Sequence, residues 1–270
     1  MHAPVKPLDG PSLRPSFGPG LALRLALRDL RAGLRGFGVF IACLALGVMT
    51  IAAVASASRG LTEGLAREGR RILGGDASFS LIQREATPQE LAFLTARGTV
   101  STIATLRAMA SAGEKGAALV EIKAVDAGYP SIGAVETDPQ QPVAGLLAQH
   151  DGTYGAVADP ILFGRLDLKP GDTVTVGGAK IQLRANLVSE PDKIAAGVGF
   201  GPRLLISQEA LRATGLIQPG SLIRWTYRLQ LPAAASSDAD LERLIAAAGT
   251  QQRDAGWEIR SRANAAPSFQ

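Results

Sequence analysis

Arg24, Arg28, Arg31 and Arg35 recur at helical spacing, and Leu23, Leu27, Leu30 and Leu34 repeat the same interval one residue earlier. A stripe of guanidinium groups pairs with phosphate oxygens, while the leucines beside it enter an apolar phase. The chemistry implied is electrostatic: an amphipathic helix over residues 21–35 lying in a membrane interface, or docked on a partner protein. Covalent chemistry has far less to work with. His2 and His150 are the only histidines and Cys43 the only cysteine, so a zinc site lacks ligands. Asp151 follows His150 directly, and adjacent side chains seldom face one another as a base and its orienting carboxylate must, so His150 reads as a surface loop residue. Neither a G-x-x-x-x-G-K-[ST] loop nor a G-x-S-x-G elbow occurs. Gly197-Val198-Gly199-Phe200-Gly201 runs into Pro202 instead of a helix start, which makes it a flexible loop and not a phosphate cradle. Asp238 and Asp240 stand at a helix N-terminus, where carboxylates complement the dipole. No catalytic, cofactor-binding or metal residue is assigned, and the chain reads as non-enzymatic.

The arginine helix leads into residues 36–58, which carry no charged side chain. As a helix this run is about 35 Å long, enough to cross a hydrocarbon core of about 30 Å. It predicts a transmembrane helix continuing to about residue 73 through Leu61, Leu65, Ile72 and Leu73. Ahead of it, residues 1–20 carry Pro4, Pro7, Pro11, Pro15 and Pro19 and predict a disordered tail. Arginines flank the span on both sides, with Arg59, Arg67, Arg70 and Arg71 beyond it. The positive-inside rule acts on short flanks, so the N-terminal flank decides: it lies in the cytoplasm and the large domain outside. Ala53-Val54-Ala55 and Ala55-Ser56-Ala57 fit a signal-peptidase pattern, but the leading segment is long and the apolar run exceeds a signal core. A retained anchor is the reading taken, with a cleaved, secreted module as the alternative. The formal charge of +4 is concentrated beside the span and is not interleaved with aromatics, which argues for anionic lipid as partner and against nucleic acid. With one cysteine no intrachain disulfide exists, so an exported domain must stand on packing.

From residue 74 short alternating segments take over. Strands are predicted over 76–82, 100–109, 117–125, 173–176, 180–188, 222–231 and 257–260. Helices follow Thr87-Pro88-Gln89-Glu90, which spells a capping box with proline at the first position, and also Asp159-Pro160, Ser207 and Ser237; a further helix covers 143–149. Gly177-Gly178 marks a two-residue hairpin. Hairpin signals outnumber crossover signals, giving an α+β domain with a mixed or antiparallel sheet, in one or two lobes.

Leu162-Phe163-Gly164-Arg165-Leu166-Asp167-Leu168-Lys169-Pro170-Gly171-Asp172-Thr173-Val174 resembles the periplasmic core domain of MacB-like and FtsX-like ABC permeases. Gly201-Pro202-Arg203, Leu216-Ile217-Gln218-Pro219-Gly220-Ser221 and Tyr227-Arg228-Leu229, with Leu27-Arg28-Asp29-Leu30-Arg31 before the span, resemble the YbbP branch of that superfamily. The resemblance covers roughly residues 21–270 and rests on the order of the motifs. It implies an inner-membrane permease component of an export or mechanotransmission system, with residues 74–270 as the periplasmic core domain. It implies a separate cytoplasmic ABC ATPase subunit, further permease segments or a second permease half, envelope lipid or lipoprotein-like cargo, and a periplasmic lysophospholipase-type partner. Within that scheme Arg24, Arg28, Arg31 and Arg35 form the coupling surface at the membrane. Family members continue with further spans, so the chain is expected to be an N-terminal part of such a permease.

Overall fold

The computed structural model describes residues 24, 28, 37–56, 69–71, 73–192 and 201–262. The expected tail, Arg31 and Arg35, most of the helical continuation and residues 197–200 lie outside them. The chain divides into two units, Met1–Leu61 and Thr62–Gln270.

In the first unit Arg24 and Arg28 are helical and exposed. Helix α1, Phe37–Ser56, has a mean hydropathy of 2.5 and is long and apolar enough to cross a membrane. Among the described residues none of this helix is buried, with Leu46, Met49 and Ile51 all exposed. Along it the Thr50 hydroxyl donates back to the Leu46 carbonyl at 2.8 Å, so it presents no unmet donor to an apolar solvent.

Among the described residues the second unit is built on one mixed sheet of eleven strands. In chain order they are β1 (Ala77–Ile82), β2 (Thr99–Ser111), β3 (Ala117–Val125), β4 (Glu136–Asp138), β5 (Gln149–His150), β6 (Thr153–Ala158), β7 (Thr173–Val176), β8 (Ala179–Ser189), β9 (Arg203–Ser207), β10 (Arg224–Gln230) and β11 (Glu258–Ser261). Their spatial order is β11-β1-β10-β2-β3-β9-β6-β8-β4, with β5 beside β6. β7 pairs with both β8 and the far end of β2. The pairings therefore close a ring through β2, β3, β9, β6, β8 and β7, which β2 can join because it is long enough to serve β10 first and β7 last. Antiparallel pairing dominates, as the turn signals imply. Yet only β2–β3, β5–β6 and β7–β8 join successive strands, and β3–β9 and β6–β8 are parallel. At the β7–β8 turn Gly177 has φ +54°, and the Thr214 carbonyl occupies the space that a Cβ would need.

Alternation along the strands gives the sheet two unlike faces. Phe79, Trp225, Leu229, Ala104, Ile122 and Leu204 point to one side. There they form the main core with α2 (Pro88–Thr95), α4 (Pro160–Leu166), α5 (Gln208–Ala213) and α6 (Asp238–Gln251). The helices begin where the caps predict: Thr87 and Glu90 exchange hydrogen bonds at the start of α2, Asp159 caps α4, Ser207 caps α5, and Ser237 and Asp240 close a box on α6. The other face divides. Over β6, β8 and β9 it is covered by α3 (Val143–Leu147) through Leu146 and Leu147, a second small core with Val157 and Leu205. Over β11, β1, β10, β2 and β3 it is more open and polar, with Glu258, Arg260, Ser80 and Thr226, except that Ile103 and Val125 join the second small core and Lys123 and Arg228 are buried. The unit is thus a single lobe.

Phe79 anchors the main core, fully buried with its ring edge-on to Trp257 at 5.0 Å between centroids. Phe79→Ala is expected to destabilise this unit by about 3–5 kcal/mol in urea unfolding of the detergent-solubilised chain, with a parallel change in tryptophan emission.

Candidate functional site

Two charged clusters organise the second unit. The first is where the chain runs into and out of the sheet. Asp76, fully buried, directly precedes β1; its carboxylate accepts from Arg262 Nη1 at 2.7 Å and from the Leu231 backbone N–H at 2.9 Å. Arg70 Nε lies 2.9 Å from the same carboxylate, close enough for an ion pair although the angle is poor for a hydrogen bond. Arg262 in turn donates from Nη2 to Asp238 at 2.7 Å and to the Ser236 carbonyl at 2.6 Å, and its backbone N–H reaches the Asp76 carbonyl at 3.0 Å. β1 and β11 pair antiparallel with Ala77 opposite Ser261, so the incoming and outgoing strands are neighbours and the Asp76–Arg262 pair ties them at one end.

The second cluster sits under the open face. Strand alternation carries Lys123 of β3 to that face, where it is 2% exposed. Its ammonium donates to Glu190 at 2.5 Å, to Asp192 at 2.7 Å and to the Tyr129 hydroxyl at 2.8 Å. Tyr129 donates to Asp192 at 2.8 Å, Arg228 of β10 closes on the other Asp192 oxygen, and Arg203 of β9 bridges Glu190 and Glu121. Gly74 (φ +69°) lies against Arg228, and a Cβ there would come within 2.5 Å of the guanidinium Nη1. Buried ions survive only when every partner is present, so this network ties β3, β9 and β10 to the turn after β8.

Above it runs a groove of about 390 Å³, lined by Lys123, Arg203, Arg224, Arg228 and Arg260 together with Ser78, Ser80, Thr105 and Thr226 on its floor. Ser80 and Thr226 share a hydrogen bond of 3.1 Å across β1 and β10. The groove shares Thr105 and Glu121 with a neighbouring hollow of about 580 Å³ walled by Leu216 and Leu222. The arrangement holds charge in place and offers cationic and hydroxyl donors.

Burial alone would push the Asp192 carboxyl up, but the charges and hydrogen bonds of Lys123 and Arg228 more than offset it and hold it well below the usual carboxylate range. Burial, followed by the charges of Asp192 and Glu190, pushes the Tyr129 phenol far up, so it remains a neutral donor. Nearer the rim, Glu258 is held low first by hydrogen bonding to Arg224 and then by Arg260.

Of the expected coupling arginines, Arg24 and Arg28 belong to the first unit, and Arg31 and Arg35 lie outside the described residues. His150 is exposed on β5, and Asp151 takes a left-handed turn (φ +48°) beside it. No group of three His, Cys, Asp or Glu side chains among the described residues is placed to hold a metal.

A carboxyl held low in the folded state contributes stability that is present above its unfolded value near 3.9 and is lost as pH falls towards its folded value. Acid titration of urea stability should therefore show a loss setting in below about pH 4. Asp192→Asn should cost about 3–5 kcal/mol at neutral pH and make that acid limb shallower. Asp76→Ala strands Arg262 and Arg70 in the same way; it is expected to cost about 3 kcal/mol or more and to speed amide exchange of Ala77 and Arg262 ahead of the rest of the sheet.

No family profile matches the chain. Over 186 residues it is 32% identical to the protein named uncharacterized ABC transporter permease YbbP of Escherichia coli K12, a match covering 68% of this chain and 22% of that protein. The chain therefore spans about a fifth of the length of this curated relative. Among solved structures it is similar to the periplasmic region of MacB from Actinobacillus actinomycetemcomitans (10% identity, 72% of this chain and 92% of that one, TM-score 0.44). It is also similar to the extracellular domain of the noncanonic ABC-type transporter YknZ from Gram-positive bacteria (11% identity, 68% and 100%, TM-score 0.43). The sequence match, not these loose structural likenesses, carries the comparison: over 186 residues the chain is similar to the ABC transporter permease YbbP.

Proposed function

We propose that the chain is a permease component of an ABC-type export or mechanotransmission system in a bacterial inner membrane, with ATP hydrolysis supplied by a separate cytoplasmic subunit. The observation that carries this reading is the 32% identity to a permease over 186 residues. The apolar helix α1 ahead of a sheet domain fits a layout of one span followed by an extracytoplasmic body. In this reading residues 1–20 are a tail, residues 21–35 lie at the cytoplasmic surface and present Arg24, Arg28, Arg31 and Arg35 to the ATPase, and residues 36–58 carry motion through the bilayer. Residues 74–270 form the periplasmic body that meets envelope lipid or lipoprotein-like cargo and a lysophospholipase-type partner. The network around Lys123 suits that role, since a body that transmits force must move as one piece.

A second reading, an anchored binding module without an ATPase, is favoured by the cationic groove. One experiment separates them. Affinity purification of the tagged chain from its native membrane should bring down a cytoplasmic ATPase subunit, and combined Arg24→Glu, Arg28→Glu, Arg31→Glu and Arg35→Glu should remove it. Capture that is absent, or unaltered by the charge reversal, overturns the coupling assignment. Protease added to intact spheroplasts should cleave within residues 74–270, and protection there overturns the orientation.

A further inference from the structure

The groove on the open face has a donor that its own carboxylates leave unused. Five cations line it, and with Glu190 behind Lys123 the carboxylates at hand are Glu121, Asp192, Glu258 and Glu190. These acids are already engaged. Glu258 takes Arg224 on one oxygen at 2.6 Å and Arg260 on the other at 2.7 Å. Both Asp192 oxygens are occupied by Lys123, Tyr129 and Arg228, and Glu190 is divided between Lys123 and Arg203. Arg228 Nε remains buried without a hydrogen-bond partner, on a side chain that is 8% exposed and lines the groove. A buried cationic N–H without an acceptor is destabilising, and it marks a place where an acceptor belongs. The space is far larger than the roughly 30 Å³ share of a single water.

We infer that this groove is a binding site for an oxyanion, the carboxylate or phosphate group of a ligand, seated over Arg228 between Arg224 and Arg260. Cationic donors around a hydroxyl-lined floor match the several acceptor oxygens of such a group, and its negative charge balances the surplus cation. Exposed apolar side chains stand near the groove, Leu222 in the neighbouring hollow. Ile82 pairs with Arg224 across β1 and β10, Leu222 stands two residues before that arginine, and both are exposed. The anion can therefore arrive free or carried on an acyl chain. The site stands whether or not the chain works with an ATPase.

The test uses the full chain in dodecyl maltoside, titrated with inorganic phosphate by ³¹P line broadening and with dodecyl phosphate by calorimetry. Saturable binding is expected. Arg228→Lys keeps a cation beside Asp192 and loses Nε, and should weaken binding about tenfold. Arg224→Gln, at the half-exposed rim, should weaken it about threefold, and Arg243→Gln on the outer side of α6 should leave it unchanged. Binding of both probes identifies a site for the free anion; binding of dodecyl phosphate alone, with the same dependence on the variants, identifies a site for an acyl-borne one. Should Arg228→Lys not elute as a folded species, Arg224→Gln decides. Absence of saturable binding of either probe up to about 10 mM, or equal binding by wild type and both groove variants, overturns the inference.

Discussion

A lysine ammonium removed from water must be given anions in its place, and the second unit is organised around that demand. Lys123 meets it with Glu190, Asp192 and the Tyr129 hydroxyl. Tyr129 stands just past β3 itself, while Glu190 and Asp192 come from far along the chain, in the turn after β8. Arg203 and Arg228 then bring β9 and β10 into the same network. The apolar core on the opposite face supplies the bulk driving force, as in any sheet that buries one side. The network contributes register. A slip of β3 by one residue would carry Lys123 into the main core in place of Ile122, against Leu204.

Much of this architecture was legible from residue order because it rests on local chemistry. The capping box of Thr87 and Glu90, the Asp159-Pro160 start of α4 and the glycine turn between β7 and β8 are each decided within a few residues, and each stands where the spacing places it. β6 and β9 escaped notice for a physical reason. β6 is short and carries Gly155 among alanines, and β9 is a brief apolar run without alternation; both are central strands, buried on two sides, which have no polar phase to betray them. β4, three residues long, exists only because β8 offers it an edge.

The charged clusters were hidden for a related reason. Lys123 falls on the polar phase of β3, the phase of Leu119 and Glu121, and such a lysine ordinarily faces water. Only its long-range partners reveal that it does not. The one local hint is the acidic pair Glu190 and Asp192 around Pro191, directly after the longest stretch of β8, which reads as a solvated turn until Arg203 and Arg228 are seen beside it. The arginine series at residues 24–35 was, by contrast, conspicuous because a helical repeat is visible at short range.

Asp76 and Arg262 sit together at the same end of the β1–β11 pair, and that position sets how the unit answers tension. If residues 76 and 262 are drawn apart, the two strands are peeled, not sheared, so their ladder bonds would be loaded one after another instead of all together. Peeling is the mechanically weak direction for a hairpin-like pair. The carboxylate–guanidinium contact stands at its very first rung, a latch that must yield before any rung behind it carries load.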